Sequence, residues 1–445
     1  MPSNYRAYQP EQSYLLPPSP SEWLPENHLA FFISEVVEEM DLSAFHGRYE
    51  EGDPRGNQPF HPAMMLKILI YAYATGTFSS RRIAQKIEED VAFRVLAAGN
   101  FPQHRTICDF RQEHLQKFVE LFKQVVLIAR SSGLIKLGRV AIDGTKIKAN
   151  ASRHKAMSYD RMNQEEKKLE SEIAELLRQA EQTDREEDQE YGSENRGDEL
   201  PEELQRRESR LKKIREAKKR LEERQAEEDR AKGRHEGDGG RPNGKKGQPF
   251  QSEFGQPREK AQDNFTDPES RIMKMGNGFE QSYNAQTCVD EAHQIIVAVG
   301  VTNCAADSTQ LIPMIEATEA VIDQVPEQVI ADAGYRSDEN FERLEARNVD
   351  GVIALGREGK PDAPPISLSK KATQRMKEKL ASPEGEAAYR RRKVIVEPVF
   401  GWIKSVLGFR QFSLRGLRKT NAEWHLICLA VNLRRMSGGI RFATA

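Results

Sequence analysis

Two aspartates end short apolar runs in this chain of 445 residues. Asp143 follows the residues VAI, Asp332 follows VIA, and a glycine lies one or two positions beyond each. A charged side chain in a buried strand is costly unless it is paired or bound to a cation. Two such carboxylates on neighbouring strands would also repel each other, so a divalent cation is the simplest explanation for both.

Glu397 is the third candidate carboxylate. It is the one acidic residue in 389–419, a stretch with nine lysines and arginines. Lys404 follows it by seven residues, which is two helical turns and therefore the same helix face. Two interpretations remain open for Glu397: neighbouring arginines neutralise it, or it is a metal ligand while Lys404 grips DNA.

Carboxylate ligands without histidine or cysteine favour Mg²⁺ over zinc, with Mn²⁺ as a possible substitute. Two such ions about 4 Å apart can activate an attacking oxygen and stabilise a leaving oxygen at phosphorus. The sequence therefore predicts two ions per active site. Four scattered cysteines form no ligand spacing and are interpreted as core residues in a reducing compartment; they are Cys108, Cys288, Cys304 and Cys428.

The charge of the chain is unevenly distributed. Residues 161–230 contain 23 acidic and 17 basic residues, a net charge of −6, and the total of −2 leaves +4 for the rest. Together with the basic stretch 389–419, this indicates a protein that meets phosphates. No leader sequence and no apolar run of about 18 residues occurs, so the sequence predicts a cytoplasmic protein without membrane contact.

The elements before these residues are predicted to be helical. Residues 1–60 are interpreted as an N-terminal extension, and 61–135 as an all-α domain with a buried helix that ends at Gly76. Serines before Arg81 and the hydroxyl of Thr106 are placed to cap two further helices, the second of which continues to about residue 132. Arginines near the helix starts are typical of a helix-turn-helix DNA-binding domain, and an ordinary helical bundle with solvated arginines is the alternative.

The remaining chain predicts an α/β domain with a mixed sheet, interrupted after its first strand. Residues 136–157 and 261–436 are the two parts of this domain, and 437–445 form a tail. Between the two parts, 158–260 comprises a charged helical hairpin with heptad-like leucines and then a mobile loop. Two interpretations of the hairpin remain open: a solvated spacer, or an arm for dimerisation or contact with DNA ends.

Several segments, in order along the chain, resemble bacterial insertion-sequence transposases of the DDE class, in the insertion-sequence-1182 family. The segments are VAIDGTKIKANAS, TDPESRIMKMGNGFEQSYNAQTCVD, VIADAGY and VEPVFGWIKSVLGFRQFSLRGLRKTNAEWHLICLAVNLRR. The helical segment from FHPAMM to DFRQEH resembles the N-terminal domain of the same transposases. The resemblance covers most of residues 60–435.

This resemblance implies a fold and a catalytic set. The fold is an RNase H-like (retroviral-integrase-like) α/β core, with Asp143 on the first strand, Asp332 on the fourth and Glu397 on a helix. Related transposases carry a Tyr-Arg-Glu-Lys signature, and Lys404 satisfies its last position. Tyr389 and Arg392 keep their mutual spacing but lie one residue too far from Glu397, and Lys393 lies one turn before it.

The implied activity is metal-assisted hydrolysis of double-stranded DNA at each element end, followed by attack of the 3′-hydroxyl on target DNA. A homodimer would join the two ends, in the bacterial cytoplasm at the nucleoid. A nuclease of the same fold and a catalytically silent DNA-binding protein are the alternatives. The predicted catalytic residues are Asp143, Asp332, Glu397 and Lys404, and the predicted DNA contacts are Arg81, Arg82, Arg105, Arg111, Thr145, Lys146, Lys148, Tyr389, Arg392, Lys393 and Lys404.

Two further aspartates, Asp290 and Asp307, are not selected by this pattern. Neither of them ends an apolar run as Asp143 does.

Overall fold

The computed structural model describes residues 19–50, 58–152, 155–191, 202–237, 252–276, 278–356 and 371–439. The predicted breaks and loops at 192–201 and 238–251 and the tail beyond 439 lie outside these ranges. The strands are β1 (Arg139–Lys148), β2 (Ala156–Ser158), β3 (Gln262–Asn264), β4 (Arg271–Met275), β5 (Gly278–Asp290), β6 (Ile296–Thr302), β7 (Gln328–Ala331) and β8 (Asp350–Ile353).

The described helices run from the N-terminal region to the C-terminus. They are α1 (Leu29–Glu39), α2 (Ser43–Glu50), α3 (Pro62–Ala74), α4 (Ser80–Glu89), α5 (Val91–Leu96), α6 (His104–Glu113), α7 (Lys117–Ser131), α8 (Tyr159–Tyr191), α9 (Glu202–Ala231), α10 (Leu311–Ile322), α11 (Asp338–Ala346), α12 (Lys371–Ala381), α13 (Pro383–Ile395), α14 (Glu397–Gly401) and α15 (Leu417–Gly439). Short 3₁₀ turns lie at Pro20–Trp23 and Ala333–Tyr335, and a π-helical segment, Trp402–Val406, follows α14. None of the described helices is both long and apolar enough for a bilayer span.

The main sheet is mixed, as predicted. Its order is β4-β5-β1-β7-β8, with β6 also paired to β5. β1 lies antiparallel to β5 and parallel to β7, and β7 lies parallel to β8. β2 and β3 form a separate two-stranded ribbon. If the ribbon and the edge strand β4 are set aside, β7 is the fourth strand of the sheet along the chain.

The buried helix predicted after residue 61 is α3. Nearly all of its side chains are buried, and Pro62 occupies its first turn, where a missing N–H costs nothing. It ends before Gly76, whose φ of +76° suits glycine. A Cβ at Gly76 would also lie 2.7 Å from the carbonyl oxygen of Leu407, so this position requires glycine for space as well.

The helix boundaries after α3 differ from the prediction. α6 begins at His104, with Gln103 at the N-cap, so Thr106 lies inside the helix instead of capping it. The long helix predicted to follow is two helices, because the chain turns between α6 and α7. At this turn the buried ring of His114 packs against Phe45 and Phe110, at centroid distances of 5.1 and 4.5 Å.

The helices and the sheet share one hydrophobic core. α15 connects them: it packs against α3 and α7 on one side and against β6 on the other. Trp424 of α15 is fully buried and donates its indole N–H to the carbonyl of Gln286 in β5 at 3.0 Å. α1 belongs to the same core, so helical packing begins well before residue 61.

α8 and α9 pack against each other as a hairpin with its own small core, formed by Met162, Leu169, Leu211, Ile214, Ala217 and Leu221. Cross-helix ion pairs join Glu165 to Arg210 and Glu172 to Arg207. The residue number rises in one helix as it falls in the other, so the two helices are antiparallel. The hairpin leaves the sheet after β1 and returns through the β2–β3 ribbon.

Candidate active site

The strand register brings Asp143 and Asp332 together. Ile142 of β1 pairs with Ala331 of β7 in a parallel ladder, and each aspartate is the next residue of its own chain segment. Neighbouring strands lie about 4.8 Å apart. The apolar residues before each aspartate are fully buried, whereas both aspartates are partly exposed at the same end of the sheet.

Asp143 is an unfavourable place for a negative charge. Burial raises the pKa of its carboxyl group to about 6, and the nearby carboxylates of Asp332 and Asp307 add to this rise. Arg392 and the amide of Gly144, which donates to Asp143 Oδ1 at 2.8 Å, lower the pKa in part. A buried carboxyl group with other carboxylates around it is typical of functional sites.

Arg392 links Asp143 to Glu397. Its Nη1 donates to Asp143 Oδ2 at 2.9 Å, and its Nη2 donates to Glu397 Oε1 at 3.1 Å. The Arg392 side chain is 14% exposed, whereas the Glu397 side chain is 50% exposed. An arginine therefore neutralises Glu397 in this structure, and the same arginine holds it beside Asp143.

The helix break before Glu397 explains the extra residue in the signature. α13 ends at Ile395 and α14 begins at Glu397, with Val396 between them. Pro398 has no N–H to continue the hydrogen bonds of α13, which ends the helix there. Arg392 therefore reaches Glu397 across a bend, over five residues instead of the three or four of a straight helix.

Lys404 lies in the π-helical segment that follows α14. Its Nζ donates to the carbonyl oxygen of Lys146 in β1 at 3.1 Å. Burial lowers the pKa of Lys404, Arg410 and Lys146 lower it further, and Asp143 opposes them. Lys404 is thus held on β1 within electrostatic reach of Asp143, although the π-helical turn departs from the predicted α-helical spacing.

Asp307 is a site residue that the sequence pattern missed. It lies in the loop between β6 and α10 and accepts hydrogen bonds from Asn284 at 2.6 Å, Gln286 at 2.8 Å and Lys146 at 3.1 Å. The hydroxyl of Tyr335 donates to the side-chain oxygen of Gln286. Asn284 and Gln286 are buried polar residues on one face of β5, a pattern that could have indicated a polar partner.

Gly144 makes this approach possible. A Cβ at position 144 would lie 2.7 Å from Asp307 Oδ1, closer than real Cβ contacts allow. The glycine after Asp143 therefore leaves room for a third carboxylate beside β1.

The other predicted DNA contacts occupy different environments. Lys146 is paired with Asp307 and Lys148 with Glu280. Thr145 and Tyr389 are half-buried, and the exposed members are Arg81, Arg82, Arg105 and Lys393.

The prediction that Arg111 lies on the DNA-binding surface is corrected by its placement. It is 6% exposed, and its Nη1 donates to the Tyr73 hydroxyl and the Phe78 carbonyl, both at 3.0 Å. Arg111 is on the inner face of α6, six residues after exposed Arg105. It is therefore a core residue of the helical region.

The side chains at this site have the oxygen ligands that a hard divalent cation prefers. Asp143 and Asp332 offer carboxylate oxygens, and burial, together with the nearby carboxylates of Asp332 and Asp307, raises the pKa of Asp143. Among the residues that the structure describes, no group of three or more Asp, Glu, His or Cys side chains is arranged as a ready metal site. Arg392, between Asp143 and Glu397, supplies the positive charge instead.

Comparison with known proteins adds a second line of observation. Residues 249–433 match the model of a transposase DDE domain, and residues 18–113 match that of a transposase domain (DUF772). Both matches indicate a DNA transposase. No curated protein and no solved structure matches the chain.

The two matches agree with the structure of this chain. A DDE domain implies an RNase H-like fold, with which the mixed sheet and its flanking helices agree. Asp332, Glu397, Lys404 and Asp307 lie inside the DDE match, whereas Asp143 lies between the two matched regions. The matches support an insertion-sequence transposase and do not distinguish the insertion-sequence-1182 family.

Proposed function

We propose that this protein is an insertion-sequence transposase that binds the ends of its element, hydrolyses a phosphodiester bond there, and transfers the 3′-hydroxyl to target DNA. The observation that carries the proposal is the pairing of β1 and β7, which brings Asp143 and Asp332 together, while Arg392 links Asp143 to Glu397. The two ends would be joined by a homodimer acting on bacterial DNA in the cytoplasm, at the nucleoid.

Asp143, Asp332 and Glu397 are the residues that would hold two Mg²⁺ ions, or Mn²⁺ in their place. When bound, such ions activate the attacking oxygen and stabilise the leaving oxygen of an in-line displacement. In the protein without metal, Arg392 keeps Asp143 and Glu397 together by neutralising both. If the ion pair between Arg392 and Glu397 opened, the carboxylate could bind a cation. The guanidinium could then bind a DNA phosphate.

The cations around the site would hold the DNA backbone. Lys404, half-buried against β1, is the proposed contact to the phosphate next to the scissile bond. The exposed arginines of α4 and α6 would bind the element end farther away. The proposed DNA contacts are Arg81, Arg82, Arg105, Thr145, Lys146, Lys148, Tyr389, Arg392, Lys393 and Lys404.

A cleavage and strand-transfer assay with a labelled element end and Mg²⁺ tests the proposal. The wild-type protein should yield both a cut end and a joined product. Asp143→Asn and Asp332→Asn should yield neither, while both still bind the end. Glu339→Gln, the same change at an exposed carboxylate of α11, should behave as wild type.

Two outcomes would contradict the proposal. Cleavage without a joined product would indicate a nuclease of the same fold. Binding of the end without any cleavage by the wild-type protein would indicate a DNA-binding protein without catalytic activity.

A further inference from the structure

A groove of about 970 Å³ lies where the helical hairpin meets the β2–β3 ribbon. We call it the basal groove. Its described lining contains five basic residues and no acidic one: Lys155, Arg161, Arg206, Arg210 and Lys213. This groove lies outside the candidate active site, and none of its residues was selected by the sequence pattern.

The groove is basic although the hairpin around it is acidic overall. Residues 206–220 of α9 contain nine basic and two acidic residues, a net charge of +7, although the whole segment 161–230 has a net charge of −6. The acidic residues are gathered elsewhere on the hairpin. Of the basic residues, Arg206, Arg210 and Lys213 line the groove at spacings of four and three residues, which places them on one helix face. Like charges on one face repel each other, so this arrangement favours a surface that binds an anion.

Arg210 of the groove pairs with Glu165 across the hairpin, but three other basic residues of the groove differ from the rest of the hairpin in their ion pairs. Elsewhere, arginines and lysines of α9 pair across to glutamates of α8, as Arg215 and Lys218 do with Glu166. Among the described residues, no ion pair joins Lys155, Arg161 or Lys213 to a carboxylate. All three side chains are exposed.

The uncharged lining suits a phosphate backbone. Ser209, Thr266 and Gln205 place hydroxyl and amide groups among the cations, and Met157, Ile214 and Phe265 form an apolar floor. Hydrogen bonds to DNA phosphates come mainly from Lys and Arg, with Ser, Thr and Gln as further donors. The groove has this composition.

The groove is also close enough to the active site to share one duplex with it. Lys155 follows Asp143 by 12 residues, which span at most about 43 Å when fully extended. One turn of duplex DNA measures about 34–36 Å. A duplex bound at Asp143 therefore needs little more than one turn to reach the basal groove.

We propose that the basal groove binds backbone phosphates of the duplex that the active site cuts. The binding is independent of base sequence, because the lining offers cations and hydroxyl groups to an open surface. The inference rests on the proposed function, which supplies DNA as the ligand, and it gives the hairpin a role in DNA binding.

The test measures binding of the full-length protein to a labelled duplex that is long enough to cover both sites. The triple variant Lys155→Ala, Arg161→Ala, Lys213→Ala should bind more weakly. Its slope of log Kd against log salt concentration should fall by about 2.7, at about 0.9 for each phosphate that the variant no longer neutralises. The matched control, Lys167→Ala, Lys212→Ala, Lys219→Ala, removes the same charge from exposed positions of α8 and α9 outside the groove lining and should keep the wild-type slope.

Three results would overturn the inference: a wild-type slope in the groove variant, an equal fall in the control variant, or weaker binding only to RNA or to anionic vesicles. Circular dichroism should show both variants folded, since all six side chains are exposed. Mg²⁺-dependent cleavage of the same duplex separates the two proposals. Cleavage with an unchanged slope would refute the groove alone, and a lower slope without wild-type cleavage would refute the proposed function alone.

Discussion

Asp143 carries a partly buried carboxyl group at the end of β1. Its ionisation should make the free energy of unfolding depend on pH. Its pKa is about 6 in the folded protein and about 3.8 when unfolded, so the folded state holds the proton more tightly. The contribution of Asp143 to the free energy of unfolding is therefore fully present below pH 3.8 and is lost as pH rises through 6. The loss amounts to about 3 kcal/mol.

Asp143→Asn removes this dependence. Without metal, the free energy of unfolding of the variant minus that of wild type should grow between pH 4 and pH 6 and then level off. Urea unfolding of both proteins at a series of pH values measures this difference. The contributions of the other carboxylates are common to both proteins and cancel. A difference that stays constant over this range would show that Asp143 titrates normally.

Asp307 should support the reaction without being one of the proposed metal ligands. Asp307→Asn removes the ion pair with Lys146 and leaves an amide facing the amide groups of Asn284 and Gln286. Removal of such a supporting partner costs about 10- to 100-fold in activity or metal affinity. The cleavage rate at saturating DNA and its dependence on Mg²⁺ concentration measure it; rates equal to those of Glu339→Gln would contradict this role.

The sequence predicts Asp143 and Asp332 because a charge after a buried apolar run is unusual in itself. Asp307 has no such local signal, since a loop residue reaches the site only when β5, β6 and β1 pair. The burial of Arg111 is hidden for a similar reason: exposed Arg105 and buried Arg111 look alike until the inner face of α6 is known.

At the scale of elements, the hairpin should be able to unfold without the sheet. Ile214 is 1% exposed in the small core of α8 and α9, which is separate from the main core. Ile214→Asp buries an unpaired charge and should melt the hairpin while the main cooperative transition keeps its midpoint.

Limited proteolysis with mass spectrometry measures this prediction. Cuts should appear within α8 (Tyr159–Tyr191) or α9 (Glu202–Ala231) in Ile214→Asp and not in Lys212→Asp, an exposed control on α9. A fall in the midpoint of the main transition would show instead that the hairpin and the sheet unfold as one unit.

The spacing of apolar residues predicted the long buried and amphipathic helices well, because the residues that face the core recur at regular intervals along the sequence. It joined α6 to α7, since the break there depends on the packing of His114 against Phe45 from another helix. α12 and α13 bury few large apolar side chains, so periodicity gives little sign of them.

At the scale of the whole molecule, the helical region and the sheet are one packed body, with α15 between them. Arg111 lies in this shared core, near buried Glu423. Arg111→Ala should therefore lower the free energy of unfolding by about 2–4 kcal/mol, because it leaves a cavity and unpaired polar groups. Urea unfolding measures this change.

Arg105→Ala is the matched variant on the surface of the same helix. It should leave stability unchanged within about 0.5 kcal/mol and weaken binding to DNA. If Arg111→Ala kept wild-type stability and failed to bind DNA, the buried position of Arg111 would be contradicted.

The most direct measurement of the proposed chemistry is a change of metal preference at Asp143. In Asp143→Cys a thiolate replaces the carboxylate, and thiolate is a poor ligand for Mg²⁺ and a better one for softer ions. The variant should bind the element end, fail to cleave it with Mg²⁺, and recover part of the cleavage with Mn²⁺. Cleavage at the wild-type rate with Mg²⁺ would contradict the claim that Asp143 holds the metal.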